Sequence, residues 1–78
     1  MRPEVIKQED GKFALLKQGQ HYYASVVCGT AARYVLNIPI TAEQADEVIS
    51  DDQLLDQLVG EIAYAPTRYL GQHVALDD

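Results

Sequence analysis

The sequence predicts an α+β protein: a four-stranded antiparallel meander, then a short helix and one long C-terminal helix packed across it in a second layer. Three observations carry that expectation. Through residue 40, apolar side chains recur at every second position, which is the strand period. Asp10-Gly11 and Gly19-Gln20 interrupt these runs, and such dipeptides close tight turns. From Thr41 onward the apolar spacing lengthens to three and four, the helix period.

The strands are expected at 4–8, 12–18, 20–28 and 33–40, with a loop from Gly29 to Ala32. Turns this short join antiparallel neighbours, because a parallel pair needs a crossover of about a dozen residues or more. Thr41 opens T-x-x-Q and Ser50 opens S-x-x-Q. Both fit the capping box, in which hydroxyl and amide satisfy backbone N–H groups at a helix start. A hydrophobic staple between Ile49 and Leu54 would support the second start. A single continuous helix would push Asp52 into the apolar stripe, so two helices are expected, at 42–49 and 51–65. Leu54, Leu55, Leu58, Val59, Ile62 and Ala63 would form one broad buried face. Pro66 stops this helix, since the residue before a proline is driven out of the helical region. A further turn over Thr67–Leu70 would end at Gly71. The whole chain, 1–78, reads as a single domain, with 1–3 and 72–78 frayed.

Alternation assigns the faces of the later strands. Tyr22, Ala24, Val26 and Cys28 share one side, and Tyr34, Leu36 and Ile38 share the matching side of the fourth strand. These rows are assigned to the core, with the Tyr22 and Tyr34 hydroxyls at its rim. Tyr23, Val27 and Val35 point the other way, onto a partly basic sheet face with no second layer. Neighbouring strands place them side by side, so they form a contiguous apolar patch of the kind that marks contact surfaces. The second strand is ambiguous, because Phe13 with Leu15 competes with Ala14 and Leu16.

Charge is unevenly spread. The net charge is −6. Residues 1–40 hold five basic and three acidic side chains, whereas 41–78 hold Arg68 alone against nine acids. Such a field repels phosphate backbones and attracts basic partners. A chain of 78 residues buries only about 60–65% of its unfolded surface, so the core is modest. The single cysteine cannot form an internal disulfide, which suits a reducing compartment. With no apolar run of signal-peptide or membrane-span length, the chain is read as soluble, cytoplasmic and not a membrane protein.

Chemistry has few carriers. Cys28 would need exposure and a nearby positive charge to act as a thiolate nucleophile. His21 lies seven residues away on the same strand, so only His73 could approach it. A small cysteine-dependent enzyme or redox-sensitive regulator using Cys28 with His73 is therefore the enzymatic alternative. His21, His73 and Cys28 lack metal-site spacing, and the acids around Asp51 lack the glycine and distal glutamate of a calcium loop. No cofactor or metal is expected. Paired-carboxylate catalysis needs a cleft, and the chain is too short to build an obvious one. A sheet with Tyr22, Tyr23, Tyr34, Lys12, Lys17 and Arg33 gives a second alternative, single-stranded RNA binding by base stacking. The acidic second half opposes it.

The reading favoured by the sequence is thus a small acidic, non-enzymatic protein-binding module: an adaptor, inhibitor or immunity-type partner of a basic protein. One candidate surface is the acidic helical face with Glu43, Glu47, Asp51, Asp52 and Asp56. The other is the Tyr23–Val27–Val35 sheet face, through which the chain would self-associate.

Overall fold

The computed structural model describes residues 3–29 and 32–76. Four strands, β1 (Glu4–Glu9), β2 (Phe13–Gln18), β3 (His21–Cys28) and β4 (Tyr34–Ile40), pair in the order β1-β2-β3-β4. Every pairing is antiparallel. Two helices follow, α1 (Ala42–Ser50) and α2 (Asp52–Tyr64), then short 3-10 turns at Pro66–Arg68 and Leu70–Gln72. The chain is therefore an α+β protein with a meander followed by two helices.

The turns form where the sequence relaxes the backbone. Gly11 takes φ +78°, and the Lys12 amide closes the turn onto the Glu9 carbonyl at 3.0 Å. Gly29, directly after β3, takes φ +91°, and a Cβ there would collide with the Ala32 carbonyl. This position requires glycine twice over, for its conformation and for its clearance. The rest of the loop expected at 29–32 includes residues 30–31, which lie outside the described residues, as do 1–2 and 77–78 of the ends expected to fray.

Register decides the faces. Leu15 pairs with Ala24, and Ala24 with Ile38; Phe13 pairs with Val26, and Val26 with Leu36. This row points inward, and Leu15, Ala24, Val26, Cys28, Leu36 and Ile38 are buried. The ambiguity of the second strand is thereby resolved: Phe13 and Leu15 face the helices, Ala14 and Leu16 face away. A bulge between Val5 and Lys7 shifts the register of β1. It lets Ile6 pack into the inner cluster while Lys7 stays on the same side.

Both helices bury side chains against the inward row. Ile62 joins Ala24, Val26, Cys28, Leu36 and Ile38. Leu55 and Val48 gather around Leu15. Leu58, Val59 and Ile40 belong to both groups, so the core is continuous. Apolar burial on this scale, roughly 1.5–3 kcal/mol per fully buried large side chain, is the main force holding helices to sheet.

Three expectations need correction. Tyr34 lies in the inward register but is 41% exposed. It begins β4 at the end of the sheet, with its ring beside Gly29. Leu54 and Ala63 are exposed and not part of the buried face. Adjacent helix positions differ by about 100° around the axis, and the sheet takes Leu55 and Ile62. Finally, Ser50 does not cap the second helix. Thr41 forms its capping box with Gln44 in full, but the second N-cap is Asp51, whose carboxylate accepts from the Gln53 amide at 2.9 Å. Ser50 remains inside α1 and its hydroxyl donates back to the Asp46 carbonyl at 2.8 Å. Asp51 is extended, and its own N–H still donates to Glu47, so one residue ends α1 and starts α2.

The segment after Gln72 docks along β4. The Val74 amide donates to the Asn37 carbonyl at 3.0 Å, and the Asn37 amide donates to His73 Nδ1 at 2.9 Å. The free edge of β4 is thus occupied at its centre.

Candidate functional site

Three places on the molecule are candidate sites: the cysteine, the helix surface and the outer face of the sheet. Cys28 ends β3 on the inward row and is 2% exposed. Its thiol contacts the Val26 and Ile62 carbonyls as a weak donor, at 3.6 and 3.9 Å. Burial pushes the thiol up from its ordinary value, which keeps it protonated. A thiolate nucleophile needs the opposite conditions. His73 lies at the edge of β4, with Nδ1 occupied by the Asn37 amide. His21 is exposed at the start of β3. Among the described residues, no three His, Cys, Asp or Glu side chains gather as metal ligands.

The acidic positions Glu43, Glu47, Asp51, Asp52 and Asp56 are all exposed. They are not equivalent. Asp51 is committed to the α2 cap. Asp52 is held by Lys7, whose Nζ lies 2.7 Å from its Oδ1. Glu43, Glu47 and Asp56 face no cation within ion-pair distance among the described residues. The Lys7–Asp52 pair spans an open cleft of about 520 Å³ between β1 and α2, whose walls include Glu9, Phe13, Leu55 and Asp56. Carboxylates stand on both sides of this open concavity, Glu9 on β1 and Asp52 and Asp56 on α2.

A second concavity lies between the helices. Gln44, Glu47 and Val48 of α1 meet Leu54, Gln57, Leu58 and Glu61 of α2 around about 170 Å³. Its floor is apolar, with Leu54 36% exposed, and its rim carries Glu47 and Glu61. The Glu61 carboxylate accepts from the Tyr69 hydroxyl at 3.5 Å and has no cation nearby among the described residues. Sequence reasoning missed this groove because it assigned Leu54 to the core. The signal was present: Leu54, Gln57, Leu58 and Glu61 share one helix stripe, offset from Leu55, Val59 and Ile62.

The outer face holds Tyr23, Val27 and Val35, as alternation requires. Tyr23 and Val27 are half-buried by their neighbours, and Val35 is 47% exposed. Lys7 and Lys17 are on the inward row, with Lys17 above the Tyr22 ring at 5.5 Å. The face is therefore less basic than the sequence suggests. The acids and the Tyr23–Val27–Val35 set lie on opposite sides of the sheet and form two surfaces, not one.

No protein family, curated protein or solved structure matches the chain. Among the described residues, no helix is long and apolar enough to cross a membrane.

Proposed function

We propose that the protein is a small acidic, non-enzymatic binding module whose partner is a basic protein, in the manner of an adaptor or inhibitor. In this reading the molecule is a two-layer sandwich, with α2 as its principal helix and the helix layer as its recognition surface. The observation that supports it is the groove between α1 and α2: an apolar floor of Val48, Leu54 and Leu58 under the carboxylates of Glu47 and Glu61. Exposed acids alone favour solubility. Acids set around an accessible leucine favour a segment that brings an apolar anchor flanked by lysine or arginine.

The two parts of the site divide the work. Glu43, Glu47, Asp56 and Glu61 steer a basic surface inward, which raises the association rate more than the lifetime. Leu54 accepts the anchor and sets the lifetime, because desolvated apolar contacts dominate binding energy. The test uses a fluorescent helical peptide with leucines and lysines at i, i+4 spacing, and its glutamate-for-lysine counterpart. The basic peptide binds and the acidic one does not. Glu47→Gln with Glu61→Gln lowers the on-rate about tenfold at low salt and has little effect at high salt. Leu54→Ala raises the off-rate instead. An on-rate indifferent to both carboxylates and to salt removes this reading.

A further inference from the structure

The face of the sheet turned away from the helices is built to be covered. Its larger strand-borne apolar residues are Val5, Leu16, Tyr23, Val27, Val35 and Pro39, placed side by side by the register. No Asp, Glu, Lys or Arg of any strand points to this side, in a chain of net charge −6. Its central polar side chains already satisfy each other. The Ser25 hydroxyl donates to Asn37 Oδ1 at 2.8 Å, and Asn37 Nδ2 donates to the Val74 carbonyl at 3.1 Å. Covering them strands no hydrogen-bonding group, so the usual penalty for burying polar atoms is small.

We propose that this face is the interface of a homodimer, with a second copy of the chain packed sheet to sheet. Four properties select a second copy. The strand positions of the face carry no formal charge, and Lys12 and Arg33 flank it only beyond the strand starts, so its centre offers a charged partner little to choose but matches itself. The acids of α1 and α2 lie on the far side of each sheet. With packed layers about 10 Å apart, the two helix layers of the dimer stand roughly 30 Å from each other, beyond the screening length of about 8 Å. Any approach through the helices would instead oppose like charges. Edge-to-edge pairing is also blocked, by the β1 bulge at one edge and by His73 and Val74 on Asn37 at the other.

The area agrees with a reversible dimer. Four strands at a spacing of about 4.8 Å and about 23 Å long give each copy a face of about 440 Å² in plan. Two such faces approach the roughly 1,000 Å² at which specific association begins. The dimer presents its two acidic helix layers outward in opposite directions, so it would engage two basic partners at once. The dimer itself does not depend on that binding function.

The test is light scattering after size exclusion, or sedimentation, over concentrations from about 5 to 500 µM, the range suited to a small interface. The full chain runs at 8.7 kDa when dilute and approaches twice that mass when concentrated. Val35→Lys and Val5→Lys change side chains that are 47% and 50% exposed, so the monomer fold survives, as circular dichroism will show. Each weakens the dimer at least tenfold. Asp56→Asn, on the helix side, leaves it intact or strengthens it slightly. A chain that stays at 8.7 kDa throughout overturns the proposal and leaves the face to a different protein. A dimer indifferent to both lysine variants overturns it equally.

Discussion

The two sides of one strand differ more than the two halves of the chain. On β3, Ala24, Val26 and Cys28 are buried beneath Ile62, while Tyr23, Ser25 and Val27 look the other way and remain partly open. Every second residue thus belongs to the core, and the residues between are left partly open. The inward row is closed by helices and tolerates no change of volume. The outward row is closed only by its neighbours and tolerates change until a second surface meets it. Leu16 marks the limit of that division: it faces outward yet is only 8% exposed, because Val5 and Tyr23 flank it across the register.

The largest effect that can break this comparison is a pair of truncations. Leu15→Ala empties a fully buried site shared with Val48 and Leu55, and is expected to cost about 2–5 kcal/mol. Val35→Ala, on the outward row, is expected to stay within about 0.5 kcal/mol, because its side chain is already half in water. Urea unfolding of both variants in dilute solution reads the difference directly. Comparable losses would mean that the outer row is structural and that the two sides are not distinct.

Much of this contrast was legible because a strand has a period of two. Ala24, Val26, Cys28, Leu36 and Ile38 needed only alternation to be placed, and Thr41 with Gln44 needed only the capping pattern. What was not legible depended on partners distant in sequence or on offsets of one residue. The β1 bulge arises from how Ile6 fits against Leu15, Val48 and Leu55, which no local pattern of EVIKQE reveals. Ser50 and Asp51 are both good caps, and the choice followed from where the chain turned extended. Tyr34 has the correct parity but extends past its cover. The groove required knowing that the sheet would take Leu55 and leave Leu54 to α1.

A smaller effect tests the inward row through the buried thiol of Cys28. Burial holds the Cys28 thiol above its ordinary value of 9.0. The unfolded chain therefore releases this proton first as pH rises. Below about pH 9 both states keep the proton and the contribution is fully present; above it, stability declines as pH climbs toward the raised folded value. Replacing Cys28 with alanine removes that slope, apart from a constant offset for the lost sulfur. Melting temperatures of the two proteins from pH 7 to about 10.5 should converge with rising pH. Parallel curves would show that the sulfur is not desolvated, and the distinction between the rows would weaken at that end of β3.

The smallest effect concerns the ion pair between Lys7 of β1 and Asp52 of α2. Lys7 Nζ and Asp52 Oδ1 are 2.7 Å apart, but the Asp52 side chain is 85% exposed. Water and salt compete freely there, so the pair should contribute only about 0.2–1 kcal/mol. Asp52 also lies in the first turn of α2, where its charge favours the helix independently of Lys7. Single variants therefore mix two effects, and a double-mutant cycle with Lys7→Met and Asp52→Asn is needed to isolate the pair. The coupling is expected to fall below 1 kcal/mol and to fade near 0.5 M salt, where screening acts within about 4 Å. The same cycle bears on recognition. An aspartate already neutralised by Lys7 adds little to the field that steers a basic partner, whereas Glu47 is uncompensated. Asp52→Asn should slow association less than Glu47→Gln. If it slows association more, Lys7 leaves Asp52 when the partner arrives, and the acidic surface extends to the sheet edge after all.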